Sequence, residues 1–553
     1  MEQEQSLKII PLGGLGEIGK NMMALECGDD IIVIDAGVLF PEEGMPGVDL
    51  VIPDITYLKK NREKVRAILI THGHEDHTGA LPYVLGDLNV PVYAPRLAAG
   101  LIEVKLKENR AVRGATLETI EPGERIKLGK FTVEWFRVCH SIPDAMGLAI
   151  QTPLGLVVHT GDFKIDHTPV DGMATDLGNL ATLTADGVLL LCSDSTYAEV
   201  PGYTASEKVV GEALDRAIAE APGRVLVATF ASLISRIQQV LNAAQRHGRK
   251  VTFVGRSMVN NVNMALKMGY LSTSPDVMAT LKEISGLPPE KVIIMTTGSQ
   301  GEPTSALVRI ANLDHRDVNI IQGDTVVISA TAIPGNETVV SKTIDNLLRQ
   351  GAHVLHDKVA LVHVHGHASQ EELKLMLNLI RPRYFVPVHG EHRHLKAHAA
   401  LAHSLGMSPD NTFVLENGDV LEITPQFAEV VDRVTAGPMF VDGLRVWDMN
   451  SGVLRDRKLL SKDGIVVIIL TQDKKTGRLL KAPEMVSSGF IDIEEYGDIS
   501  EEMAQIVMQS LNDGGEHLLE RGFITTKVKE TAGSFLHKQT GRRPMIIPVV
   551  VEV

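Results

Sequence analysis

The stretch His72-Gly-His74-Glu-Asp76-His77 decides the fold that we expect for this chain. It follows the apolar segment Ala67–Thr71, which we interpret as a strand, so the stretch lies on a loop at a strand end. Imidazole and carboxylate groups are preferred ligands of Zn²⁺ and similar transition ions, and this loop offers enough of them for two ions. A solvated polar loop would not explain three histidines and an aspartate at this spacing. The stretch therefore predicts a metal centre.

Further along the chain, single metal-binding residues follow other predicted strands. His140 comes directly after Phe136–Cys139, and His389 comes directly after Tyr384–Val388. Asp162 follows a third predicted strand. Taken alone, each of these residues is equally well explained as a structural residue. Together with the loop they complete a set of seven ligands for two ions.

The order of these residues resembles that of the metallo-β-lactamase superfamily. The resemblance implies one ion on His72, His74 and His140, a second ion on Asp76, His77 and His389, and Asp162 as the bridge between them. Asp35, which ends the predicted strand Ile31–Ile34, matches the superfamily's first acidic motif and would orient the ligands. The expected cofactors are two Zn²⁺ ions, with Mn²⁺ as an alternative. Two ions at about 3.5–4 Å suit the hydrolysis of a phosphodiester.

A long insertion indicates one branch of that superfamily. The segment between Asp162 and His389 spans 226 residues and carries its own alternation of strands and helices. Such an insertion resembles the β-CASP branch, whose members act on nucleic acids. The added motifs of this branch are matched by Asp194, His367 and His389. A histidine at the last motif favours an RNA-acting member.

Within this branch, longer motifs resemble the bacterial ribonuclease J family. They are Leu12–Gly19, Phe40–Glu43, and the two neighbouring stretches Val326–Ala330 and Ile333–Glu337, and the resemblance covers nearly the whole chain. It implies a metal-dependent ribonuclease for RNA maturation and decay, with 5′→3′ exonuclease activity on 5′-monophosphate ends and with endonuclease activity. His367 would donate a hydrogen bond or proton to the leaving oxygen. The catalytic residues implied are His367, Asp194 and Asp76.

The resemblance also implies where the nucleotide upstream of the cut is bound. The expected contacts are Ala231, Ser232, Leu233, His363, Val364, His365, Gly366 and His367. The turn 231–233 precedes a predicted helix, whose first N–H groups can bind an anion, although Ser232 could equally serve as the helix cap. His365 stands where the family has a small hydroxyl residue.

A peripheral cation site is implied as well. Relatives in the family hold a hard cation between a loop and the linker that precedes the C-terminal domain, which here correspond to Gly47, Asp49 and Asp442. Oxygen donors of this kind suit Ca²⁺ or Mg²⁺. A plain surface loop explains these residues equally well.

The expected fold is α/β: an αββα metallo-β-lactamase sandwich with an inserted β-CASP domain and a small C-terminal α/β domain. We predict the sandwich from residues 1–203 and 352–424, the β-CASP domain from 204–351, a linker from 425–448 and the C-terminal domain from 449–553. The apolar strands near the C-terminus, Ile465–Leu470 and Met545–Val551, could pair or pack between subunits. The expected assembly is a homodimer or homotetramer, with RNA and proteins of an RNA-decay complex as partners.

Composition excludes several other classes of protein. The net charge of −15 excludes a globally basic nucleic-acid coat, although a local basic groove remains open. Three widely spaced cysteines exclude a disulfide framework. No apolar run is long enough to span a membrane, and Met1–Ser6 lacks the pattern of a signal peptide, so we expect a cytoplasmic protein.

Three alternatives remain at this stage. The glycines of Gly14–Gly19 fit a dinucleotide-binding motif, but the following residues are predicted to form strands rather than the required helix, which favours tight turns. A small-ester or thioester hydrolase of the glyoxalase type is disfavoured by the long insertion. A catalytically silent RNA-binding scaffold would be favoured by a missing ligand, yet all seven are present.

Overall fold

A computed structural model describes residues 6–41, 44–108, 114–302, 304–332, 336–443, 445–448, 452–476, 478–491, 497–512 and 521–553. Parts of two family motifs, residues 42–43 and 333–335, lie outside the described residues, as does the predicted start of the C-terminal domain at residue 449. The chain forms two compact units. The first comprises residues 1–40 and 51–438, and the second comprises residues 41–50 and 439–553.

Two face-to-face β-sheets form the centre of the first unit. In spatial order, the eight strands of the first sheet are Ala428–Arg433, Asp419–Ile423, Leu7–Gly13, Met22–Cys27, Asp30–Ile34, Val65–Leu69, Val92–Pro95 and Leu117–Ile120. The six strands of the second sheet are Tyr384–Val388, Leu190–Asp194, Gly155–His159, Met146–Thr152, Phe131–Arg137 and Arg125–Leu128.

Alternating apolar side chains explain why the two sheets pack together. Ile9 and Leu25 of the first sheet and Trp135 and Leu148 of the second are completely buried in one shared core. A second core covers the outer face of the six-stranded sheet. The helices packed there are Leu177–Leu183, Gln370–Ile380 and His392–Ser404. The helices Glu75–Thr78 and Leu81–Leu88 follow the strand Val65–Leu69 of the first sheet, Arg96–Glu108 follows Val92–Pro95, and Thr56–Lys60 follows the separate strand Leu50–Pro53. This arrangement is the αββα sandwich expected from the sequence.

The inserted segment forms a third sheet in which all neighbouring strands are parallel. Its strands, in spatial order, are Lys250–Val254, Val292–Thr296, Val225–Ala228, Thr325–Ile328 and His353–Leu355. Central strands such as Val225–Ala228 are buried throughout, as expected when helices cover both faces. The helices are Glu207–Glu220, Ile234–His247, Arg256–Met268, Leu281–Ile284, Ala306–Ala311 and Glu337–Arg349. Because His353–Leu355 pairs with Thr325–Ile328, the inserted sheet continues beyond residue 351, where the sequence placed its end.

The second unit has its own sheet and core. The strands, in spatial order, are Glu484–Ser488, Ile465–Gln472 and Met545–Glu552. Along Ile465–Gln472 buried and half-buried residues alternate, because one face packs against the helices Gly497–Asn512 and Arg521–Thr540. The helix Gly452–Asp463 precedes this sheet.

The predicted linker is not an irregular connection. Its strand Ala428–Arg433 pairs with Asp419–Ile423 and extends the large sheet. Its strands Pro438–Asp442 and Arg445–Trp447 form an antiparallel pair. In both pairings the backbone N–H and C=O groups bond to a neighbouring strand, whereas in an irregular linker they would bond to water.

Two further expectations concern the whole chain. The glycines of Gly14–Gly19 are followed by the strand Met22–Cys27 and not by a helix, which excludes the dinucleotide motif. In the part of the chain that the structure describes, no helix combines the length and apolar character needed to cross a membrane.

Candidate metal centre and active site

Strand ends bring the candidate site together. The strands Gly155–His159, Leu190–Asp194 and Tyr384–Val388 are parallel neighbours, so their carboxyl ends lie at the same edge of the six-stranded sheet. Asp162 and His389 follow two of these ends, and Asp194 is the last residue of the third. The sequence therefore places three of the predicted functional side chains at one edge.

The predicted metal ligands form two clusters at this edge. Donor atoms of His72, His74 and His140 all lie within 4.8 Å of one another, and a second group with the same spacing comprises Asp76, His77, Asp162 and His389. In the first cluster His74 Nδ1 lies 3.1 Å from Nε2 of His72 and 3.2 Å from Nε2 of His140. The structure thus brings all seven predicted side chains together, with Asp162 in the group of Asp76, His77 and His389.

Asp162 lies between the two clusters. Its Oδ2 is 3.2 Å from Nε2 of His77, 3.7 Å from Nε2 of His72 and 3.8 Å from Nε2 of His140. Its Oδ1 is 2.7 Å from Nδ1 of His389. Burial would raise the pKa of this carboxyl group, but the neighbouring His389 and His77 hold the pKa well below its usual value. Asp162 is thus an anion within reach of both clusters.

Neighbouring groups fix the orientation of several histidines. Asp35 Oδ2 lies 2.7 Å from Nδ1 of His77, and the carboxylate also accepts hydrogen bonds from the backbone N and Oγ1 of Thr71, both at 2.8 Å. The carbonyl oxygen of Gly366 lies 2.7 Å from Nδ1 of His140. In His77 and His140 the orienting contact is made by Nδ1, so Nε2 faces the cluster, as is typical of metal-ligating histidines.

Thr71 and Gly366 are functional positions whose orienting roles the sequence did not reveal. The Oγ1 of Thr71 also lies 3.0 Å from Nδ1 of His72, so one hydroxyl group contacts both Asp35 and a predicted ligand. A Cβ atom at Gly366 would lie 2.6 Å from Cε1 of His140, so this close approach requires glycine. Their positions directly before or within the histidine motifs are the signal that could have identified them.

The chemistry of the site fits a metal centre. Nε2 of His389 is buried and has no hydrogen-bond partner among the described residues, an arrangement that costs free energy unless another ligand satisfies it. Burial lowers the pKa of His74 to about 4, and it places the pKa values of His72 and His140 well below the usual value. These imidazoles are therefore neutral, with lone pairs available for coordination.

His367 lies beside the clusters and is paired with Asp194. Its Nδ1 donates a hydrogen bond to Oδ2 of Asp194 at 2.8 Å and lies 3.9 Å from Oδ2 of Asp162. Burial favours a low pKa for this imidazole, but Asp194 and then Asp162 outweigh burial and raise the pKa to about 9. The hydrogen-bonded carboxylate of Asp194 thus favours the protonated form of His367, the form that can donate a proton.

The two predicted substrate segments are connected by a buried arginine. Arg236, on the helix that follows the turn 231–233, donates hydrogen bonds to the carbonyl oxygen of Ser329 at 3.0 Å and to Nδ1 of His363 at 2.9 Å. Its other terminal nitrogen contacts both carboxylate oxygens of Glu207, at 2.8 and 2.7 Å. Burial, with the adjacent Arg236, lowers the pKa of His363 to about 3. Arg236 and Glu207 were missed by sequence reasoning, which did not consider the helix interior.

For the turn 231–233, the structure differs from the interpretation that Ser232 caps the following helix. The helix begins at Ile234, as predicted, but its N-cap is Leu233 and no side chain caps it. Ser232 is therefore not the helix cap. Val364, another predicted contact residue, is buried in the core of the inserted domain.

The predicted peripheral cation donors already have other partners. Arg457 donates hydrogen bonds to the carbonyl oxygen of Gly47 at 2.9 Å and to Oδ2 of Asp442 at 2.6 Å. Oδ2 of Asp49 accepts a hydrogen bond from the backbone N of Gly443 at 2.7 Å. Since a guanidinium already contacts two of the three predicted donors, these residues do not fit a Ca²⁺ or Mg²⁺ site.

We therefore expect the metal-loaded protein to bind no Ca²⁺ through these residues. Equilibrium dialysis against radioactive calcium at about 1 mM, the weak end of protein calcium sites, measures this. Arg457→Met removes the competing cation and should allow binding of one Ca²⁺, whereas Arg455→Met, an exposed position on the same helix, should not. Stoichiometric binding by the unaltered protein that is lost in Asp442→Asn would contradict the assignment.

Comparison with known proteins agrees with this architecture. A solved structure of a protein of unknown function from Enterococcus faecalis V583 superposes with a TM-score of 0.54 at 15% identity, covering 76% of this chain and all of that one, which shows the fold alone. Sequence profiles match the metallo-β-lactamase superfamily at residues 15–206 and a Zn-dependent metallo-hydrolase RNA specificity domain at residues 353–414. Fold and site together define a metallo-β-lactamase-type hydrolase with an inserted domain.

The remaining matches identify the family. Residues 222–347 match the β-CASP domain of ribonuclease J, and residues 452–553 match the ribonuclease J C-terminal domain. The chain is 46% identical over 556 residues to ribonuclease J of Thermus thermophilus, covering 99% of this chain and 96% of that protein. It is 42% identical over 550 residues to ribonuclease J2 of Bacillus subtilis, covering 99% of both. The chain belongs to the ribonuclease J family.

Proposed function

We propose that this protein is a metal-dependent ribonuclease that hydrolyses phosphodiester bonds of RNA. The observation that carries the proposal is the placement of Asp162 between two clusters of donor atoms, with the imidazolium of His367 beside them. Family membership supports RNA as the substrate, because the relatives are named ribonuclease J. Hydrolysis of a phosphodiester needs electrostatic stabilisation of phosphate oxygens and a proton for the leaving group, and this site offers groups for both.

In this proposal the seven predicted ligands hold two metal ions. The ions are Zn²⁺ or Mn²⁺, and the ligands are His72, His74, Asp76, His77, His140, Asp162 and His389. When bound, two such ions supply positive charge to the phosphate oxygens and lower the pKa of the attacking water. The orienting contacts of Asp35 and Thr71 hold the ligand rings in place before the ions bind.

The chain's own proton donor is His367. Water adds to phosphorus, the bond from phosphorus to the O3′ atom breaks, and O3′ takes the proton from Nε2 of His367. The water releases one proton to solvent, and His367 is protonated again from solvent. Asp194 keeps Nδ1 of His367 engaged, so that Nε2 is the nitrogen that exchanges the proton. The downstream product then carries a 5′-phosphate.

The direction and end preference are part of the proposal. The segments 231–233 and 363–367 hold the nucleotide upstream of the cut, and a 5′-monophosphate bound there leads to stepwise 5′→3′ removal of nucleotides. Arg236 supports this arrangement, because it contacts His363 from the helix that follows the turn. Endonuclease activity follows when a longer RNA passes through the same site. We further propose a role in RNA maturation and decay, in the cytoplasm, with proteins of an RNA-decay complex as partners.

A time course on 5′-labelled, 5′-monophosphorylated RNA tests these activities. Labelled mononucleotide from the earliest time point indicates exonuclease action, and longer labelled fragments indicate internal cutting. The same RNA with a 5′-triphosphate is the matched control, and it should be degraded more slowly from its end. Hydrolysis of small esters or thioesters with no cleavage of RNA would instead support the glyoxalase-type alternative. Binding of RNA without cleavage would support the silent scaffold.

Removal of metal should abolish cleavage. Among the described residues Nε2 of His389 is buried without a hydrogen-bond partner, an arrangement that a bound metal ion would satisfy. We expect exhaustive chelation to eliminate detectable turnover, and Zn²⁺ or Mn²⁺ to restore it, whereas the dialysed protein with its metal retained should remain active. Full turnover by protein shown by elemental analysis to be free of metal would refute the two-ion proposal.

The proposed assembly is a homodimer or homotetramer held by the C-terminal residues. The sheet face opposite the two covering helices exposes Val486, Ile547, Val549 and Val551. Removing residues from 447 onward should lower the mass measured by sedimentation while leaving a folded, metal-loaded remainder. An unchanged oligomer would contradict this role for the C-terminal residues.

A further inference from the structure

One aromatic side chain lies against two histidines next to the clusters. The ring of Tyr197 stacks on His365, with a centroid distance of 3.7 Å and an interplanar angle of 10°. It is also nearly parallel to the ring of His367, at 5.7 Å and 12°. Tyr197 therefore contacts the face of the proposed proton donor and its neighbour.

Tyr197 belongs to the same turn as the carboxylate that pairs with His367. Oδ1 of Asp194 accepts hydrogen bonds from the backbone N and Oγ1 of Thr196 at 3.0 and 2.8 Å, which fixes the turn just before Tyr197. Oδ2 of Asp194 accepts the hydrogen bond from Nδ1 of His367. The same turn thus contacts His367 at two points. Asp194 contacts a ring nitrogen, and Tyr197 lies against the ring face.

His365 completes this arrangement. Its Nδ1 donates a hydrogen bond to the carbonyl oxygen of His367 at 2.9 Å, so the ring that stacks on Tyr197 also holds the backbone of His367. Burial, with the charge of His367, lowers the pKa of His365 to about 4, so this ring is neutral. A small hydroxyl residue at position 365 would offer no ring to stack. The stacked pair therefore requires an aromatic ring at position 365.

We propose that Tyr197 is a positioning residue: stacked on His365, it holds the plane of the His367 imidazole so that Nε2 can deliver its proton to the leaving O3′. The inference rests on the proton-donor role proposed above for His367. It assigns the ring of Tyr197, and not its hydroxyl group, to this task. The ring acts through His367 and not on the metal ligands, because its stacking partners are His365 and His367.

Leaving-group dependence tests this role in the full-length, metal-loaded protein. One substrate is a 5′-monophosphorylated RNA oligonucleotide, whose leaving O3′ needs a proton. The other is the p-nitrophenyl ester of thymidine 5′-phosphate, whose phenolate leaves without one. Tyr197→Leu should lower kcat on RNA by about tenfold, part of what a general acid contributes, with KM unchanged, and should leave the nitrophenyl ester within about twofold. Tyr197→Phe keeps the ring, so its kcat on RNA should equal that of the unaltered protein.

Three comparisons complete the test. Tyr203→Leu is the matched control, because Tyr203 is 67% exposed in the segment that follows, and it should change neither substrate. Tyr197→Leu should have no further effect on RNA cleavage in a His367→Ala background. His365→Ser should lower kcat on RNA by about as much as Tyr197→Leu does. The double variant Tyr197→Leu with His365→Ser should lose no more kcat than either single variant.

The outcomes separate this inference from the proposed function. If His367→Ala slows both substrates equally, the proton-donor role is wrong, and the background test still shows whether Tyr197 acts through His367. A Tyr197→Leu variant that raises KM with unchanged kcat would make the ring a platform for a nucleobase and would overturn the inference. Equal losses on both substrates, or additive losses with His367→Ala, would overturn it as well.

Discussion

Replacing Asp162 by asparagine should lower RNA cleavage by at least about a thousandfold, which corresponds to about 4 kcal/mol of barrier. The carboxylate has one oxygen 2.7 Å from His389 and the other 3.2 Å from His77, and it also faces His72 of the other cluster. Asparagine keeps the size of the side chain but removes the negative charge that both proposed ions share. The rate on RNA and the metal content by elemental analysis should therefore fall together.

Asp49→Asn is the control for this prediction. Asp49 belongs to the second unit, and its carboxylate accepts a backbone hydrogen bond from Gly443 instead of joining a donor cluster. Loss of one such exposed contact costs about 1 kcal/mol of stability, so activity should change by less than about threefold. Comparable losses of rate in the two variants, with both equally folded by thermal unfolding, would show that the ligand assignment is wrong.

The position of the candidate site could be predicted because strand ends are readable in the sequence. Short apolar runs followed by a polar residue predicted the strands ending near Asp162, Asp194 and His389, and the structure brings these ends to one edge. The helix after the turn 231–233 begins at Ile234, as predicted, and Gly248 ends it in a left-handed conformation. Local rules of this kind need no knowledge of tertiary packing.

The groups that orient the site could not be predicted in the same way. Arg236 contacts His363, which lies 127 positions away in the sequence, and Arg457 contacts Gly47, which lies 410 positions away. Such contacts depend on how whole elements pack, and no local pattern in either segment indicates the partner. The peripheral cation site was expected from the resemblance to the family, and the sequence does not show the guanidinium of Arg457 that contacts two of its three predicted donors.

The longest helix of the second unit was missed for a different reason. In Arg521–Thr540 the buried residues Ile524, Val528, Ala532 and Leu536 recur every four positions, which is the period of a helix face. The signal was weak, because the stretch as a whole has little amphipathic character and glycine and threonine residues, which are poor helix formers, interrupt it. Packing of this face against the strand Ile465–Gln472 outweighs the weak local propensity.

Replacing His367 by alanine should leave both proposed metal ions bound and lower RNA cleavage by about 10²- to 10⁴-fold, the usual contribution of a general acid. The measurements are single-turnover cleavage of 5′-monophosphorylated RNA and metal content of the same preparation. His403→Ala is the matched control, because this histidine is exposed near the end of the helix His392–Ser404, and it should alter neither quantity.

A competing assignment makes this measurement decisive. Donor atoms of Asp162, Asp194, His367 and His389 also lie within 4.8 Å of one another, so His367 has the geometry of a further ligand. Its Nδ1 donates a hydrogen bond to Asp194, which leaves Nε2 as the nitrogen for either role. Loss of metal in step with activity in His367→Ala would establish the ligand role instead. Retention of metal with lost cleavage would support the proton-donor role of His367.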